Sequence, residues 1–87
     1  MTIQEMVEKL RGRVENDLSE DEIIELCFTV MQKHNNVVEQ SRAAVILSGV
    51  VKKGLGKRVL QFLQENPELP RRVHEILNAS ITRMECF

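Results

Sequence analysis

Residues 18–31, with the sequence LSEDEIIELCFTVM, decide the fold class of this 87-residue chain. Ser19 is followed three residues later by Glu22, a spacing that forms an S-x-x-E capping box and begins a helix. The apolar residues that follow lie at helical spacing and cover most of the helix circumference. The stretch therefore predicts a helix from Ser19 to about His34 that neighbouring helices largely cover.

Similar patterns on either side extend the helical prediction. A capping box also opens the chain at Thr2, and the apolar spacing after it predicts a helix to about Asn16. A third helix is predicted from about Val37, and the apolar run over residues 43–51 is expected to be its most buried part. Gly54 fits the C′ position that follows the end of this helix.

The last third of the chain predicts two further helices. A short one runs from Lys57 to about Glu65, before the helix-breaking Asn-Pro pair. The other begins at Pro70 as its first residue and carries an apolar stripe as far as Met84. The short connections indicate one domain over residues 1–87, an all-α compact bundle of about five short antiparallel helices.

Composition and charge restrict the class of protein. The chain is 43% hydrophobic and 29% charged, which is typical of a globular domain. Its net charge of −1 argues against nucleic acid as the partner, although the sum divides into −4 over residues 1–43 and +3 over residues 44–87. Because the sequence has no apolar run of 18 residues and no signal-peptide start, we expect an intracellular protein, cytoplasmic or nuclear, with no membrane contact.

The residue types that carry catalysis are sparse. Two histidines, two cysteines and scattered carboxylates form neither a nucleophile–base pattern nor the spacing of a metal site. Cys27 lies at helical spacing with apolar residues and is expected to be a reduced core thiol, and Cys86 stands next to the last residue. We therefore expect no enzyme, no catalytic or metal-binding residue and no cofactor.

The candidate partner-binding residues are cations of the second half of the chain. This basic set consists of Lys53, Lys57, Arg58, Arg71 and Arg72. The arginines can grip carboxylates in a bidentate manner, so the set could accept acidic or phosphorylated segments of a partner. Arg71 and Arg72 stand at the positive end of a predicted helix, where a bound anion would relieve repulsion. The alternative is that all five merely solvate the surface.

One part of the sequence resembles a known family. The residues Lys53-Gly54-Leu55-Gly56-Lys57-Arg58-Val59, then Leu63 and Asn66-Pro67-Glu68-Leu69, followed by an amphipathic helix, resemble the second half of the TFIIS N-terminal domain family, which includes the integrase-binding domain of LEDGF. The resemblance covers residues 53–80, about a third of the chain. Many members carry a Trp in the last helix, and this chain has none.

The resemblance implies a bundle of four or five helices that binds short motifs of disordered partners in transcription and does not catalyse a reaction. Within this chain it implies that Gly56 and Lys57 form a helix corner and that Val59 and Leu63 belong to the core. It also implies a docking edge at the turn of residues 17–18.

Three functional hypotheses follow. The first is a non-enzymatic protein–protein interaction module, a regulatory adaptor that binds a short peptide motif or helix of a larger intracellular, transcription-related partner with acidic segments. In this hypothesis an apolar groove between helices supplies affinity and the basic set selects acidic flanks. The alternative is a homodimeric helical regulator or chaperone-like protein. The third, nucleic-acid binding through the basic set, lacks the interleaved aromatic residues of a single-strand site.

Overall fold

Side chains cap the first three helices of the computed structural model, which describes residues 1–84. Helix α1 spans Ile3–Arg11, and Thr2 Oγ1 accepts from the Glu5 amide at 3.1 Å while Glu5 Oε1 accepts from the Thr2 amide at 2.8 Å. Helix α2 spans Glu20–Lys33 and starts with the same reciprocal pair between Ser19 and Glu22, both at 3.2 Å. Both predicted capping boxes are confirmed.

The remaining helices complete an all-α bundle. Helix α3 spans Val37–Ser48 and is capped by Asn36, whose Oδ1 accepts from two backbone amides at 2.8 and 3.2 Å. Helices α4, α5 and α6 span Leu55–Glu65, Arg71–Asn78 and Ile81–Met84. Residues 1–84 contain no β-strand, and the predicted all-α bundle is confirmed.

Helix α2 lies at the centre of one side of the core. It packs against both α1 and α3, while α3 also packs on α5, and α4 packs on α5 and α6. The buried side chains of α2 are Ile24, Cys27, Phe28, Val30 and Met31. The prediction that neighbouring helices cover α2 is confirmed for its apolar side chains, which are all buried or half-buried, whereas six of its fourteen residues are exposed.

The first helix is shorter than predicted. It ends at Arg11, not near Asn16, and the Arg13 guanidinium then donates to the carbonyl of Leu10 at 3.0 Å. The chain turns back through Asp17, whose φ of 51° lies in the left-handed region. As a result Val14, which the apolar spacing assigned to the core, is 82% exposed.

The third helix also ends early, and its burial differs from the prediction. Helix α3 stops at Ser48, where the Gly49 amide donates to two carbonyls of the last turn. Within the run predicted as most buried, Leu47 is fully buried, but Val45 is 57% and Val51 is 50% exposed. The prediction is wrong for these two valines because one face of α3 has no helix packed on it and residues 49–54 lie outside any helix.

Two further helix boundaries differ from the prediction. Gly54, expected at the C′ position of the third helix, is the N-cap of α4 with a φ of 85°, so α4 begins at Leu55. Pro70 is the N-cap of α5 and not its first residue, because its ψ of 143° is extended. The last predicted helix is interrupted near Ser80, whose hydroxyl donates to the Ile76 carbonyl at 2.8 Å, and it continues as α6.

The bundle is flat, with extents of 30, 29 and 16 Å. Packed helix axes are separated by about 8–10 Å, so the thin dimension holds roughly two layers of helices. Every helix therefore has an outer face. On α3 that outer face carries the exposed Arg42 and three valines that are more than half exposed, Val37, Val38 and Val45.

Candidate functional site

An open groove of about 810 Å³ runs between α1 and α3. It forms because these two helices pack against the same neighbour, α2, which leaves a channel above the α2 side chain Val30. The side chains that line it are Val7, Leu10, Arg11, Arg13, Val30, Val37, Val38, Glu39, Ser41, Arg42, Ala43, Val45, Ile46 and Arg72. We call it the α1–α3 groove.

The centre of the α1–α3 groove is apolar. Val7 and Leu10 of α1, together with Val30, are buried and form its floor. Helix α3 supplies a wall on which Val38 is 58% and Val45 is 57% exposed. Exposed apolar side chains grouped beside a buried apolar floor indicate a contact site more often than isolated ones do.

Charged side chains surround this apolar centre, and three of them form one cluster. The Arg11 Nη2 atom lies 2.9 and 3.1 Å from the two oxygens of the Glu39 carboxylate. Arg42, one helical turn further along α3, donates to the same carboxylate at 3.2 Å. The side chain of Glu39 is only 13% exposed, so both arginines occupy its oxygens and leave little of it to solvent.

Two more arginines lack a carboxylate. Arg13 is half-buried, and its guanidinium donates to the carbonyl of Leu10. Arg72 is exposed and makes neither a hydrogen bond nor an ion pair with any side chain in residues 1–84. Four arginines against one glutamate give the groove lining a net charge of +3.

The structure places Arg58 of the basic set against α2. Its guanidinium lies 2.7 Å from the Glu25 carboxylate and 4.5 Å from the centroid of the Phe28 ring, a cation–π contact. The Phe62 ring packs edge-on to Phe28 with centroids 4.8 Å apart. These side chains line a smaller depression of about 370 Å³ between α2 and α4.

The other cations near the corner are exposed. Lys52 forms an ion pair with Asp21 at the start of α2, and this hydrogen bond raises the pKa of the Lys52 ammonium. Lys53 and Lys57 are exposed on either side of the Gly54 turn. Acidic residues of α2 therefore already neutralise part of the positive charge around the corner.

The basic set is not gathered at one pocket. Arg58 lines the depression between α2 and α4, whereas Arg72 lines the α1–α3 groove. Arg71, next to Arg72, is 91% exposed and lies 3.6 Å from the Glu75 carboxylate. Of the five predicted residues, Arg72 alone is among the groove-lining side chains.

Sequence reasoning missed the three groove arginines of the first half of the chain, Arg11, Arg13 and Arg42. They lie in the half whose net charge is negative, and nothing in their spacing brings α1 beside α3. The sequence contained one indication of the groove: α3 is apolar over more of its circumference than one buried face requires. That excess predicts an exposed apolar face without locating the cations around it.

Two of the residues to which the resemblance assigned a core role are buried. Val59 is 0% and Leu63 is 5% exposed. The implied helix corner at Gly56 and Lys57 is wrong, because both residues lie in the first turn of α4 and the chain turns before them, at Gly54. The docking edge implied at residues 17–18 stays a prediction, with Asp17 exposed and Leu18 half-buried.

The cysteine and metal findings concern the described residues. Burial raises the pKa of the Cys27 thiol to about 12, so this side chain stays protonated inside the core. Across residues 1–84, no three His, Cys, Asp or Glu side chains are grouped as metal ligands would be. Cys86 lies outside the described residues.

Comparisons with known proteins do not extend this picture. No protein-family model matches the chain, and no curated protein or solved structure is significantly similar to it. Among the described helices, none is both long and apolar enough to cross a membrane.

Proposed function

We propose that this protein is a non-enzymatic interaction module that binds a short helical segment of a larger protein in the α1–α3 groove. The observation that carries the proposal is the apolar wall of α3, where Val37, Val38 and Val45 remain more than half exposed beside a buried apolar floor. Burying these side chains under a partner would remove apolar surface from water, which is the main favourable term in association.

The dimensions of the groove favour a helical ligand. Its α3 wall runs from Val37 to Ile46, which is about 13 Å at a rise of about 1.5 Å per residue. A partner helix of two to three turns matches that length. Such a helix would present apolar residues at i, i+3 or i+4, and i+7, the usual arrangement of helix-in-groove recognition.

The basic set has a secondary role in this proposal. Lys53, Arg71 and Arg72 are exposed on the second half of the chain, where they would accelerate the approach of an acidic partner. The chain would then act as an intracellular adaptor in a regulatory assembly. Participation in transcription is the part of the proposal that rests on the resemblance of residues 53–80 alone.

The experiment compares partner capture by wild type and two matched variants. Val45→Asp places a charge in the groove wall, and Leu60→Asp places the same charge on α4 at a side chain that is 43% exposed and does not line the groove. Each protein is immobilised on a support and incubated with lysate of the cell that produces it naturally. The proteins that the support retains are quantified by mass spectrometry. Circular dichroism first establishes that both variants are folded.

The proposal expects at least one protein that wild type and Leu60→Asp retain and Val45→Asp loses. If every captured protein is retained equally by Val45→Asp, the α1–α3 groove is not the docking site. A partner that survives Val45→Asp but is lost on charge reversal of Lys53 and Arg71 would move the site to the basic set.

A homodimer is the second candidate, and the same exposed valines of α3 favour it. In a dimer the partner that covers Val38 and Val45 would be another copy of the chain. Sedimentation equilibrium distinguishes the two candidates, because a dimer would dissociate with dilution and with Val45→Asp, whereas an adaptor sediments as a monomer throughout.

A further inference from the structure

We infer that the segment bound in the α1–α3 groove is an amphipathic helix that carries carboxylates beside its apolar stripe. The inference rests on the proposed function and names the chemistry of the partner. It follows from the arrangement of charge around the groove. The apolar lining alone would not determine whether the partner is acidic or basic.

The cations of the groove exceed its anions, and the one anion is already occupied. Glu39 accepts hydrogen bonds from both Arg11 and Arg42 at 2.9 to 3.2 Å. It therefore has little capacity left to compensate Arg13 or Arg72. These two cations are the positions at which a ligand carboxylate would gain most.

One cation, Arg42, lies on α3 among the valines, but the two cations without a carboxylate, Arg13 and Arg72, belong to other elements. Arg72 belongs to the first turn of α5 and Arg13 follows the end of α1, so these two cations reach the groove from different elements than the α3 valines. A ligand complementary to this surface has an apolar stripe and acidic residues beside it. The guanidinium group can bind a carboxylate through two parallel hydrogen bonds, which fixes orientation as well as charge.

The same charges argue against a second copy as the occupant. In a two-fold symmetric dimer the same surface patch of each subunit meets its equivalent. The groove lining carries a net charge of +3, so a symmetric contact would place two such rims against each other. Like charges brought together across an interface oppose association.

Nucleic acid fits the groove less well than an acidic helix. Arginines would attract phosphates, but the centre of the groove is aliphatic and none of its lining side chains is aromatic. Binding of single strands relies on bases stacked against aromatic rings. The exposed valines of α3 would therefore have no apolar surface of the nucleic acid to pack against.

The probe is a displayed library of random 16-residue peptides that is selected on the wild-type protein. Each selected peptide is then tested for binding to Val45→Asp. The strongest peptide is then synthesised, and its affinity is measured by fluorescence anisotropy at low and high salt for several variants. Arg72→Glu reverses the exposed groove cation. Lys33→Glu is the matched control, an exposed cation of α2 that does not line the groove.

We expect the selected peptides to be helical in the complex, apolar at i, i+3 or i+4, and i+7, and enriched in Asp and Glu beside that stripe. Reversal of a rim charge should weaken binding by about 10-fold at low salt, and the loss should shrink at high salt. A peptide with its flanking Glu changed to Lys should recover affinity for Arg72→Glu and lose it for wild type. Lys33→Glu should bind like wild type.

Each of the other outcomes contradicts either the acidic-helix inference or the proposed function. Neutral or basic peptides that need Val45 would overturn the acidic-helix inference and leave the proposed function intact. Peptides that bind Val45→Asp as tightly as wild type would overturn the proposed function itself. Displacement of the peptide by a 20-residue thymidine oligonucleotide, lost in Arg72→Glu, would assign the groove to nucleic acid, and self-association abolished by Val45→Asp would assign it to a second copy.

Discussion

Gln40 Nε2 donates a hydrogen bond of 2.9 Å to the backbone carbonyl of Met31. The carbonyls in the last turn of a helix have no partner within that helix, and Met31 lies in the last turn of α2. Gln40, which is only 7% exposed, supplies that missing donor from the first turn of α3. This bond fixes α3 against α2 and so orients the apolar wall of the groove.

We predict that Gln40→Met destabilises the protein by about 1 to 3 kcal/mol, because a buried carbonyl loses its only side-chain donor while the packing volume is nearly kept. Urea unfolding measures the change. Gln61→Met is the matched control, since the Gln61 side chain is exposed and bonds to Glu65 on the same helix. Its effect should stay within about 0.5 kcal/mol. Equal effects of the two changes would show that the Met31 carbonyl does not depend on Gln40.

The two faces of α3 give a second prediction. Leu47 is 0% exposed and Val45 is 57% exposed on the same helix. Leu47→Ala should cost about 2 to 5 kcal/mol, because it leaves a cavity in the core. Val45→Ala should change stability by less than about 0.5 kcal/mol.

Thermal and urea unfolding of both variants test this contrast. If Val45→Ala destabilises as much as Leu47→Ala, the outer face of α3 is covered in solution, and the groove does not exist as described. A dependence of that result on protein concentration would identify the cover as a second copy.

The sequence predicted the starts of α1 and α2 better than the ends of α1 and α3. Ser19–Glu22 and Thr2–Glu5 are local pairs that each span four consecutive residues, so spacing alone predicted them. The ends of α1 and α3 depend on tertiary packing. Val14 continues an apolar pattern, yet no neighbouring helix covers it once the chain turns through Asp17.

The groove was outside the reach of sequence reasoning for the same reason. The pattern indicated basic residues in the second half of the chain, but it did not show that Glu25 would neutralise Arg58. Nor did it show that Arg72 would lie with Arg11 and Arg42 around α3. Neighbours in sequence were predictable, whereas cations contributed by three different helices were not.

The corner before α4 gives a third prediction. Gly54 has a φ of 85°, a conformation that costs a residue with a Cβ about 1 to 2 kcal/mol. No atom lies within 4 Å of a Cβ added there, so the loss on Gly54→Ala would come from the backbone and not from a clash. We expect destabilisation of about 1 kcal/mol.

Gly49→Ala is the matched control for this corner. Gly49 has a φ of −89°, and an added Cβ would meet only the Ile46 carbonyl at an ordinary 3.6 Å. Alanine should be neutral or stabilise by up to about 1 kcal/mol by restricting the unfolded chain. Urea unfolding of both variants decides, and destabilisation by Gly49→Ala but not by Gly54→Ala would contradict the assignment of the left-handed turn.

The capping box of α2 makes stability depend on pH. The backbone amide of Ser19 donates to the Glu22 carboxylate, and this bond, with the Ser19 hydroxyl, holds the pKa of Glu22 below its ordinary value of 4.5. The unfolded chain therefore takes up a proton at a higher pH than the folded protein does. The contribution to stability is present above about pH 5 and is lost as the pH falls through the lowered pKa.

We predict that Glu22→Gln flattens this dependence, because glutamine can still accept from the Ser19 amide but does not titrate. Urea unfolding of wild type and Glu22→Gln between pH 3 and 7 gives the difference in unfolding free energy. That difference should be constant above about pH 5. Below about pH 5 wild type should lose stability relative to Glu22→Gln. Glu8→Gln is the control, since Glu8 is an exposed carboxylate outside either capping box. Parallel pH profiles for wild type and Glu22→Gln would mean that the Glu22 carboxylate does not accept from Ser19 in solution.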